Sequence, residues 1–313
     1  MNTKKEVSEL YREIKNNVNS EVKVFYLSTN LCPAHKADVI RDIYEVLKNS
    51  TSDNHIKVIC VTTPLIEAGV DLDFHMVVRA CSGLDNILQA AGRCNRNGLR
   101  EIGYVYIVEV ANENLNNLKD TNIRKTCTMS VLNNIRKNPV NYHDGDILSS
   151  EALNEYYNIY YDKLKEFQDY PYNESGRKGN LYDLLTANKH GKLAYEEMEG
   201  SVNLKDYPLK QAFQDAGRIF KVIEEKTTAV LVEYGEGRKI ISSLLSKNID
   251  FKEINILLKQ AQRFSINLYE NQIRLLKNDV YKIEDLDIWI LKAKNYNSEF
   301  GLNIDGEAEM YAF

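Results

Sequence analysis

The sequence predicts an α/β protein in which helices cover a parallel sheet, followed by a helical region and then a small mixed α+β domain. In the first third of the chain, short runs that are apolar throughout alternate with segments of helical spacing, as expected for parallel strands buried on both faces. Beyond about residue 111, Asn, Lys, Tyr and Leu dominate and helical spacing prevails. We therefore expect three segments, at residues 1–112, 113–200 and 201–313.

The first segment is predicted to begin with a helix and to continue with four strands. Thr3 and Glu6 have the spacing of a capping box, which indicates a helix that extends to about residue 17. The strands are expected in VKVFYL, IKVICV, MVVRAC and YVYIVEV, with a second helix over about residues 36–48. This alternation of helices and strands favours one parallel sheet.

The later segments contain fewer diagnostic features. Helical spacing continues to about residue 165, and DYPYNESGRKGN, at residues 169–180, is a clear break. We then expect a helix in LKQAFQDAGRIF, strands in FKVIEE and TTAVLVEY, two helices, and strands in FSINLY, DVYKI and LDIWIL. The tyrosines of EYYNIYYDK are spaced as packing residues on a helix, although they would also suit stacking against nucleic-acid bases.

Composition excludes several classes of protein. The chain has 313 residues, of which 43% are hydrophobic, so it can build a sizeable core. We find no apolar run of membrane-spanning length and no signal-peptide core, and we expect a cytoplasmic protein without membrane contact. Five cysteines form no CxxC pair, which favours reduced thiols and no zinc site. The net charge of −5 argues against general attraction to nucleic acid but leaves room for a basic groove.

The most informative stretch is LDNILQAAGRCNRNG, at residues 84–98. As a helix it would carry Gln89, Arg93 and Arg96 on one face, because these residues are four and three positions apart. Two guanidinium groups held in this way suit phosphate oxygens. An arginine beside the γ-phosphate in nucleotide hydrolysis contributes about 10³- to 10⁵-fold in rate. The alternative is an ordinary solvated face of charged residues.

A second stretch, VICVTTPLIEAGVDLD, predicts a strand that runs into the start of a helix. Thr63 is placed as the N-cap and Pro64 as the first helical residue, which leaves backbone N–H groups that could bind a phosphate of a nucleic-acid backbone. Gly69 permits a sharp helix end, after which Asp71 could accept a hydrogen bond from a sugar hydroxyl. An ordinary strand-to-helix turn explains the same pattern.

A third stretch, YLSTNLCPAHK at residues 26–36, also joins a strand to a helix through polar residues. The hydroxyl groups of Ser28 and Thr29 could contact a nucleic-acid phosphate. A polar loop that only caps the following helix is the alternative.

Taken together, these stretches resemble a known family. TTPLIEAGVDLDF and QAAGRCNRNG are similar to motifs V and VI of superfamily 2 helicases, which lie in the second of two RecA-like domains. With STNLCPAHK, LYDLLTANK and AFQDAGRIFKVIEEKTTAVLVEYGEG, they resemble the helicase of type I CRISPR systems, which Cascade recruits to unwind and degrade invading DNA. The resemblance covers essentially the whole chain. It implies a RecA-like domain at 1–112, a helical linker at 113–200 and a family-specific C-terminal domain at 201–313.

The resemblance also implies roles for individual residues. Both arginines of motif VI would point at the γ-phosphate of ATP and act in catalysis: Arg93 and Arg96. Three further residues would lie at the nucleotide: Gln89, Gly92 and Asp71. The DNA backbone would be contacted by Thr63 and Gly69, in addition to Ser28 and Thr29. Lys36 stands where the family more often has arginine, and a lysine loses the bidentate geometry that suits phosphate.

Half of an ATPase site is missing from the sequence. It contains no GxxxxGK[ST] loop and no DExH or DEAD run, so ATP and Mg²⁺ would be shared with another domain. In the family, that domain and an HD nuclease lie N-terminal to the matching region, so we expect this chain to be inactive alone. Its expected partners are single-stranded DNA, the N-terminal helicase and HD-nuclease half, and Cascade. His143 and Asp144 form an isolated HD pair that we interpret as a surface loop, and we predict no metal site.

The start of the sequence leads to a further expectation. In the family, the residues NTKK follow the first strand of the second RecA-like domain, so the sheet would be one strand short here. We therefore expect a split gene or frameshift product, or one chain of a complex. Two other functions stay open: a non-catalytic fragment that docks on Cascade or on a helicase, and half of an RNA helicase of the same superfamily.

Overall fold

The computed structural model describes residues 1–49, 56–67, 69–165, 170–174, 177–189, 191–193, 210–220, 227–246, 251–283 and 286–304. The chain divides into two units, of which the first comprises Met1–Ser130 with Lys226–Phe313 and the second comprises Val131–Glu225. The first unit therefore combines the two ends of the chain. The predicted segments 1–112, 113–200 and 201–313 stay a prediction.

The N-terminal part of the first unit follows the predicted order of helices and strands. Its elements are α1 (Lys4–Asn17), β1 (Val22–Leu27), α2 (Pro33–Asn49), β2 (Lys57–Thr62), a 3₁₀ turn (Pro64–Ile66), β3 (Met76–Ala80), α3 (Leu84–Ala91) and β4 (Tyr104–Val108). Helix α1 begins with the expected capping box, because the Glu6 amide donates to Thr3 Oγ1 and the Thr3 amide donates to Glu6 Oε2, both at 3.2 Å.

The strands form two parallel pairs. In the pair β1–β2, Val22 lies opposite Lys57 and Leu27 opposite Thr62. In the pair β3–β4, the register runs from Met76 opposite Tyr104 to Ala80 opposite Val108. Within the described residues, no ladder joins β2 to β3. The α/β class and the parallel pairing are as expected, whereas one continuous parallel sheet is not observed among these residues.

The remaining elements include more helix and a mixed sheet. Helix α4 (Lys119–Lys137) is followed by α5 (Ser150–Leu164), β5 (Pro171–Glu174), β6 (Arg177–Asn180), α6 (Leu181–Leu185) and α7 (Phe213–Ile219). The C-terminal part contains β7 (Thr227–Leu231), α8 (Gly237–Leu244), α9 (Phe251–Ala261), β8 (Ser265–Tyr269), α10 (Glu270–Leu276), β9 (Val280–Ile283), β10 (Ile288–Leu291), β11 (Tyr296–Asn297) and β12 (Gly301–Leu302). Four of these strands form a sheet in the order β8-β7-β10-β9, with β7 and β10 parallel.

Two sequence expectations about these regions have different outcomes. On α5, Tyr156 and Tyr160 are buried, which agrees with their interpretation as packing residues. The strand expected in FKVIEE lies outside the described residues, apart from its first residue. Among the described helices, none is both long enough and apolar enough to cross a membrane.

The N-terminal core includes a residue from the far end of the chain. Phe300 packs edge-to-face against Tyr11 of α1 and Tyr26 of β1, with ring centroids 5.4 and 5.1 Å apart. Nearby, the Leu302 amide donates to the Asn30 carbonyl at 3.0 Å. Gly301, the residue before Leu302, has a φ of +71°, and a Cβ atom at this position would collide with the Asn30 carbonyl oxygen. The C-terminal segment is thus fixed against the loop between β1 and α2.

His35 of α2 holds the same segment from the other side. Its side chain is buried, with Nδ1 3.0 Å from Tyr296 Oη and Nε2 3.1 Å from the Ser298 carbonyl oxygen. Its ring stacks on Tyr234 at a centroid distance of 4.2 Å. The Ser298 carbonyl can only accept, so Nε2 carries the proton, and in the neutral imidazole Nδ1 then accepts from the Tyr296 hydroxyl, whose oxygen also accepts from the Cys32 amide at 2.9 Å. A neutral histidine satisfies every hydrogen bond of this network, and burial disfavours the charged form.

We predict that His35 makes the stability of the protein depend on pH. Burial holds the pKa of His35 below its ordinary value, against the opposing effects of the Ser298 carbonyl and Asp38. The contribution is fully present above about pH 6.5 and is lost below it, because the unfolded histidine then takes up a proton that the folded one resists. The loss cannot exceed about 1.4 kcal/mol per pH unit. Urea unfolding at pH 7.5 and 5.5 measures it.

His35→Gln is the matched variant, because a glutamine can donate a hydrogen bond but does not titrate. We expect its free energy of unfolding to fall less between pH 7.5 and 5.5 than that of the unchanged protein. Equal losses in the two proteins would contradict the prediction.

Candidate functional site

The structure brings two of the predicted stretches, residues 84–98 and residues 58–73, together in space. Arg96 Nε lies 3.0 Å from Asp71 Oδ1, and the Arg96 amide donates to Asp73 Oδ1 at 2.9 Å. Arg93 Nη2 donates to the carbonyl oxygen of Glu67, also at 2.9 Å. Each arginine of the stretch 84–98 is therefore in contact with the stretch 58–73, as neighbouring parts of one site would be.

The helix that we expected to carry both arginines is shorter than predicted. Helix α3 ends at Ala91, and Gly92 closes it by donating to the Leu88 carbonyl at 3.0 Å. The following residues pair with Phe74, whose amide donates to the Arg93 carbonyl while its carbonyl accepts from the Asn95 amide, both at 2.9 Å. The prediction of one helical face for Gln89, Arg93 and Arg96 was wrong, because this bridge redirects the chain after Gly92.

The two arginines differ in their surroundings. The Arg96 side chain is 39% exposed and is held from one side by the Asp71 carboxylate, which is itself exposed. Arg93 is half-buried, and its Nε is a buried donor without a hydrogen-bond partner among the described residues. Gln89 and Gly92 are exposed beside them. Donors in this arrangement can bind an anion with several oxygens, such as a phosphate.

A buried ion pair supports these contacts, and the sequence analysis missed it. Glu67 and Arg79 both have nearly inaccessible side chains, and Glu67 Oε1 lies 2.8 Å from Arg79 Nε. The other carboxylate oxygen of Glu67 accepts from Asn86 Nδ2 at 3.1 Å. Arg79 Nη1 donates to Asn2 Oδ1 at 2.6 Å. Glu67 therefore contacts β3 and α3 through its side chain and Arg93 through its backbone.

A signal for this pair was present in the sequence. Arg79 stands inside the apolar run MVVRAC and Glu67 inside PLIEAG, and a charge within a buried strand or turn requires a partner of opposite sign. The pair could not be assigned, however, because several other acidic residues are equally close in sequence.

The turn after β2 differs in part from the prediction. Thr63 precedes a single 3₁₀ turn, Pro64–Ile66, instead of a longer helix, and its side chain makes no capping hydrogen bond. Within the part of the chain that the structure describes, Thr63 Oγ1 is buried without a hydrogen-bond partner, which is costly unless a ligand or water supplies one. Gly69 is exposed and has a φ of +76°, as the predicted sharp turn requires.

The loop after β1 presents only part of its predicted surface. Ser28 is buried, its hydroxyl donates to Tyr26 Oη at 2.9 Å, and it accepts from the Asn30 amide at 3.1 Å. Thr29 is exposed in the same loop. Lys36 is half-buried, and burial lowers the pKa of its ammonium group. Of the two hydroxyl residues, Thr29 is the one accessible to a ligand without rearrangement, and the phosphate role of both stays a prediction.

The HD pair does not belong to a cluster of metal-ligand side chains among the residues described. His143 and Asp144 both have positive φ values in a turn, and His143 Nε2 lies 3.0 Å from Glu151 Oε2 on the surface. Across the described parts of the chain, no group of three or more His, Cys, Asp or Glu side chains could hold a metal ion.

Comparisons with known proteins point to one family. Residues 1–99 match the family model described as CRISPR-associated nuclease/helicase Cas3, C-terminal. The CRISPR-associated nuclease/helicase Cas3 of Haloferax volcanii is 28% identical over 174 residues, which are 51% of this chain and 18% of that relative. The chain thus spans less than a fifth of the length of this curated relative.

Solved structures agree on the fold. The crystal structures of T. fusca Cas3 with ATP and with ADP each have a TM-score of 0.53 and 13% identity, over 93% of this chain and 35% of theirs. The chain therefore spans about a third of these proteins. The predicted resemblance to the C-terminal part of the family is confirmed.

Proposed function

This chain is similar in sequence and fold to the C-terminal part of the Cas3 helicase-nuclease, and we propose that it is the corresponding part of an ATP-dependent translocase on single-stranded DNA that acts in CRISPR interference. The RecA-like arrangement of its strands belongs to this proposal. The observation that carries it is the contact between the two motif stretches, through Arg96 with Asp71 and Arg93 with Glu67. Such contacts fix guanidinium groups in place, as transition-state stabilisation requires.

The proposed role of this chain in ATP hydrolysis is to supply positive charge. When bound, ATP with Mg²⁺ provides the γ-phosphoryl group whose transfer to water drives movement. Arg93 and Arg96 neutralise the charge that develops on that group, with Gln89, Gly92 and Asp71 beside the nucleotide. The guanidinium groups suit phosphate, but the described residues include no acidic cluster for Mg²⁺ and the sequence has no phosphate-binding loop. Another domain must therefore hold the metal and the β-phosphate.

The proposed DNA contacts lie on the loops that follow β1 and β2. The Thr63 hydroxyl has no partner among the described residues, Gly69 allows a close backbone approach, and Thr29 is exposed. Ser28 would act through the geometry of its loop, because its hydroxyl is used internally. Hydrogen bonds of these kinds to phosphates position a strand without reading its sequence, which suits a translocase.

This chain covers only part of the length of its relatives, so the proposal assigns the remaining functions of the enzyme to partners. The missing functions, which are the phosphate-binding loop and the HD nuclease, would come from an N-terminal half, and Cascade would deliver the DNA. This chain alone would then be inactive.

Reconstitution tests the proposal. We expect no ATP hydrolysis from this chain alone and DNA-stimulated hydrolysis when it is mixed with a polypeptide that carries the first RecA-like domain and the HD nuclease of the same organism. Single-stranded DNA and RNA of one sequence are compared as stimulants, since stimulation by RNA alone would indicate an RNA helicase. Failure to restore hydrolysis, combined with retained capture by Cascade, would instead indicate a non-catalytic docking fragment.

A further inference from the structure

A second buried acidic side chain is joined to the ion pair of Glu67 and Arg79 through Asn2. It belongs to Glu113, in the segment after β4, whose side chain is 2% exposed. Its Oε1 accepts from Asn2 Nδ2 and its Oε2 accepts from Lys125 Nζ of α4, both at 2.7 Å. A carboxylate this deeply buried is stable only while such donors stay in place.

The Asn2 side chain connects the two buried charge pairs. Its Oδ1 accepts from Arg79 Nη1 at 2.6 Å, and its Nδ2 donates to Glu113. The amide is held in this orientation, because the reverse one would turn its donor toward the guanidinium and its acceptor toward the carboxylate. The contacts form one continuous chain of side chains, which we call the buried network: Glu67, Arg79, Asn2, Glu113 and Lys125.

The charges of the buried network alternate along its length and cancel. Each carboxylate faces one cation, and the neutral amide lies between the two pairs. Although burial opposes it, the hydrogen bond and the charge of Glu113 hold the pKa of Lys125 above its ordinary value. Removal of the Lys125 charge leaves the Glu113 carboxylate unpaired, and its neighbours can offset that charge only by moving toward it. A change at Lys125 is therefore expected to reach Glu67.

Helix α4 also contacts the stretch that contains the motif arginines. Arg124, the residue before Lys125, donates from Nη1 to Asp85 Oδ2 at 2.5 Å. Asp85 lies in the first turn of α3, at the beginning of the stretch 84–98. One turn of α4 thus contacts that stretch directly and the stretch 58–73 through the buried network.

We propose that Glu113 and Lys125 are positioning residues for Arg93, which hold the Glu67 carbonyl at the place where the Arg93 guanidinium donates to it. Arg93 Nη2 lies 2.9 Å from that oxygen, and the Glu67 side chain is fixed by Arg79. The inference deepens the proposed function and rests on it, since the position of this guanidinium matters for hydrolysis only if Arg93 faces the γ-phosphate. Glu113 and Lys125 do not touch the nucleotide in this proposal and change kcat through Arg93.

The position of Arg93 can be followed in the full chain without ATP. In protein that contains isotope-labelled arginine, the Arg93 Nε–H resonance is assigned by its loss in Arg93→Ala, and its chemical shift is measured by NMR. We expect this resonance to move in Lys125→Met and to keep its position in Lys125→Arg, which retains a cation beside Glu113. Lys5→Met is the matched control, because it removes a lysine whose side chain is 83% exposed, and it should leave the resonance unchanged.

A double variant separates positioning from misfolding caused by a stranded charge. Glu113→Leu combined with Lys125→Met removes both charges of the pair, and urea unfolding verifies that the protein is folded. We still expect the Arg93 resonance to move, because Asn2 has lost its acceptor. An unchanged resonance in the folded double variant would overturn the proposal, since the buried network would then have only a structural role.

ATP hydrolysis by the chain mixed with the N-terminal half provides the functional measurement. The double variant should lower kcat about tenfold without changing KM for ATP, because a displacement of about 1 Å can cost about 10²-fold in rate. In the Arg93→Ala background it should cause no further loss, since its effect requires Arg93. The same tenfold loss in that background, or a shifted resonance with unchanged kcat, would contradict the positioning role. If the unmodified chain restores no hydrolysis, the proposed function fails, whereas the resonance still shows whether the buried network positions Arg93.

Discussion

Glu67→Ala is expected to lower the free energy of unfolding by about 3–5 kcal/mol, because it leaves the buried guanidinium of Arg79 without its carboxylate. The two side chains are 5% and 6% exposed, and their atoms are 2.8 Å apart. The substitution also removes the acceptor of Asn86 Nδ2. Urea unfolding followed by fluorescence measures the loss, since the single tryptophan of the chain, Trp289, lies in the same unit as the ion pair.

Two further variants separate the buried charge from other effects. Glu9→Ala removes an exposed ion pair with Lys5, 3.8 Å long, and should change the stability by less than about 1 kcal/mol. The double variant Glu67→Ala, Arg79→Met should recover part of the loss, because no unpaired charge then stays buried. If the double variant is no more stable than Glu67→Ala, the cost comes from packing and not from the stranded guanidinium.

The ion pair also explains how the motif stretches are held together. Glu67 accepts from Arg93 through its backbone and from Arg79 and Asn86 through its side chain. Loss of the Glu67 carboxylate is therefore expected to disturb Arg93 as well, because Arg93 donates to the backbone carbonyl of Glu67. In the proposed function, Glu67 contributes both to the stability of the protein and, through Arg93, to ATP hydrolysis.

Local patterns were sufficient to predict the elements of the N-terminal part. Thr3 and Glu6 form the predicted capping box because both partners lie within one helical turn. The four predominantly apolar runs of this part became strands, since short runs rich in β-branched and aromatic residues favour extended structure. Such local patterns depend only on residues close together in sequence, so they can be recognised without the structure.

The features that the sequence did not reveal depend on distant residues. Helix α3 ends early because residues 93–95 pair with Phe74, about twenty positions away. The buried partner of Arg79 is twelve residues earlier, and the partner of His35 is Ser298, near the other end of the chain. No periodicity encodes such contacts. The separation of the strands into two pairs is also a property of pairing and not of any single run.

Substitution of Arg93 or Arg96 is expected to have the largest effect on the proposed activity. In the reconstituted assay, Arg93→Ala and Arg96→Ala should each reduce DNA-stimulated ATP hydrolysis by about 10³- to 10⁵-fold, because a finger arginine stabilises charge that appears only in the transition state. The loss should fall on kcat, with a smaller change in KM for ATP. Arg93→Lys and Arg96→Lys should recover little, since a point charge does not replace a bidentate fork.

Two control variants, Arg41→Ala and Asp71→Asn, make the test specific to Arg93 and Arg96. Arg41→Ala removes an exposed arginine of α2 that pairs with Asp38 at 2.8 Å, and it should leave hydrolysis unchanged. Asp71→Asn weakens the contact that holds Arg96, whose side chain is 39% exposed, so it should reduce hydrolysis less than Arg96→Ala does. If Arg96→Ala retains full hydrolysis while Arg93→Ala is folded and inactive, then Arg96 only orders the loop through Asp71 and Asp73. Full activity of both variants would contradict the proposed finger role of Arg93 and Arg96.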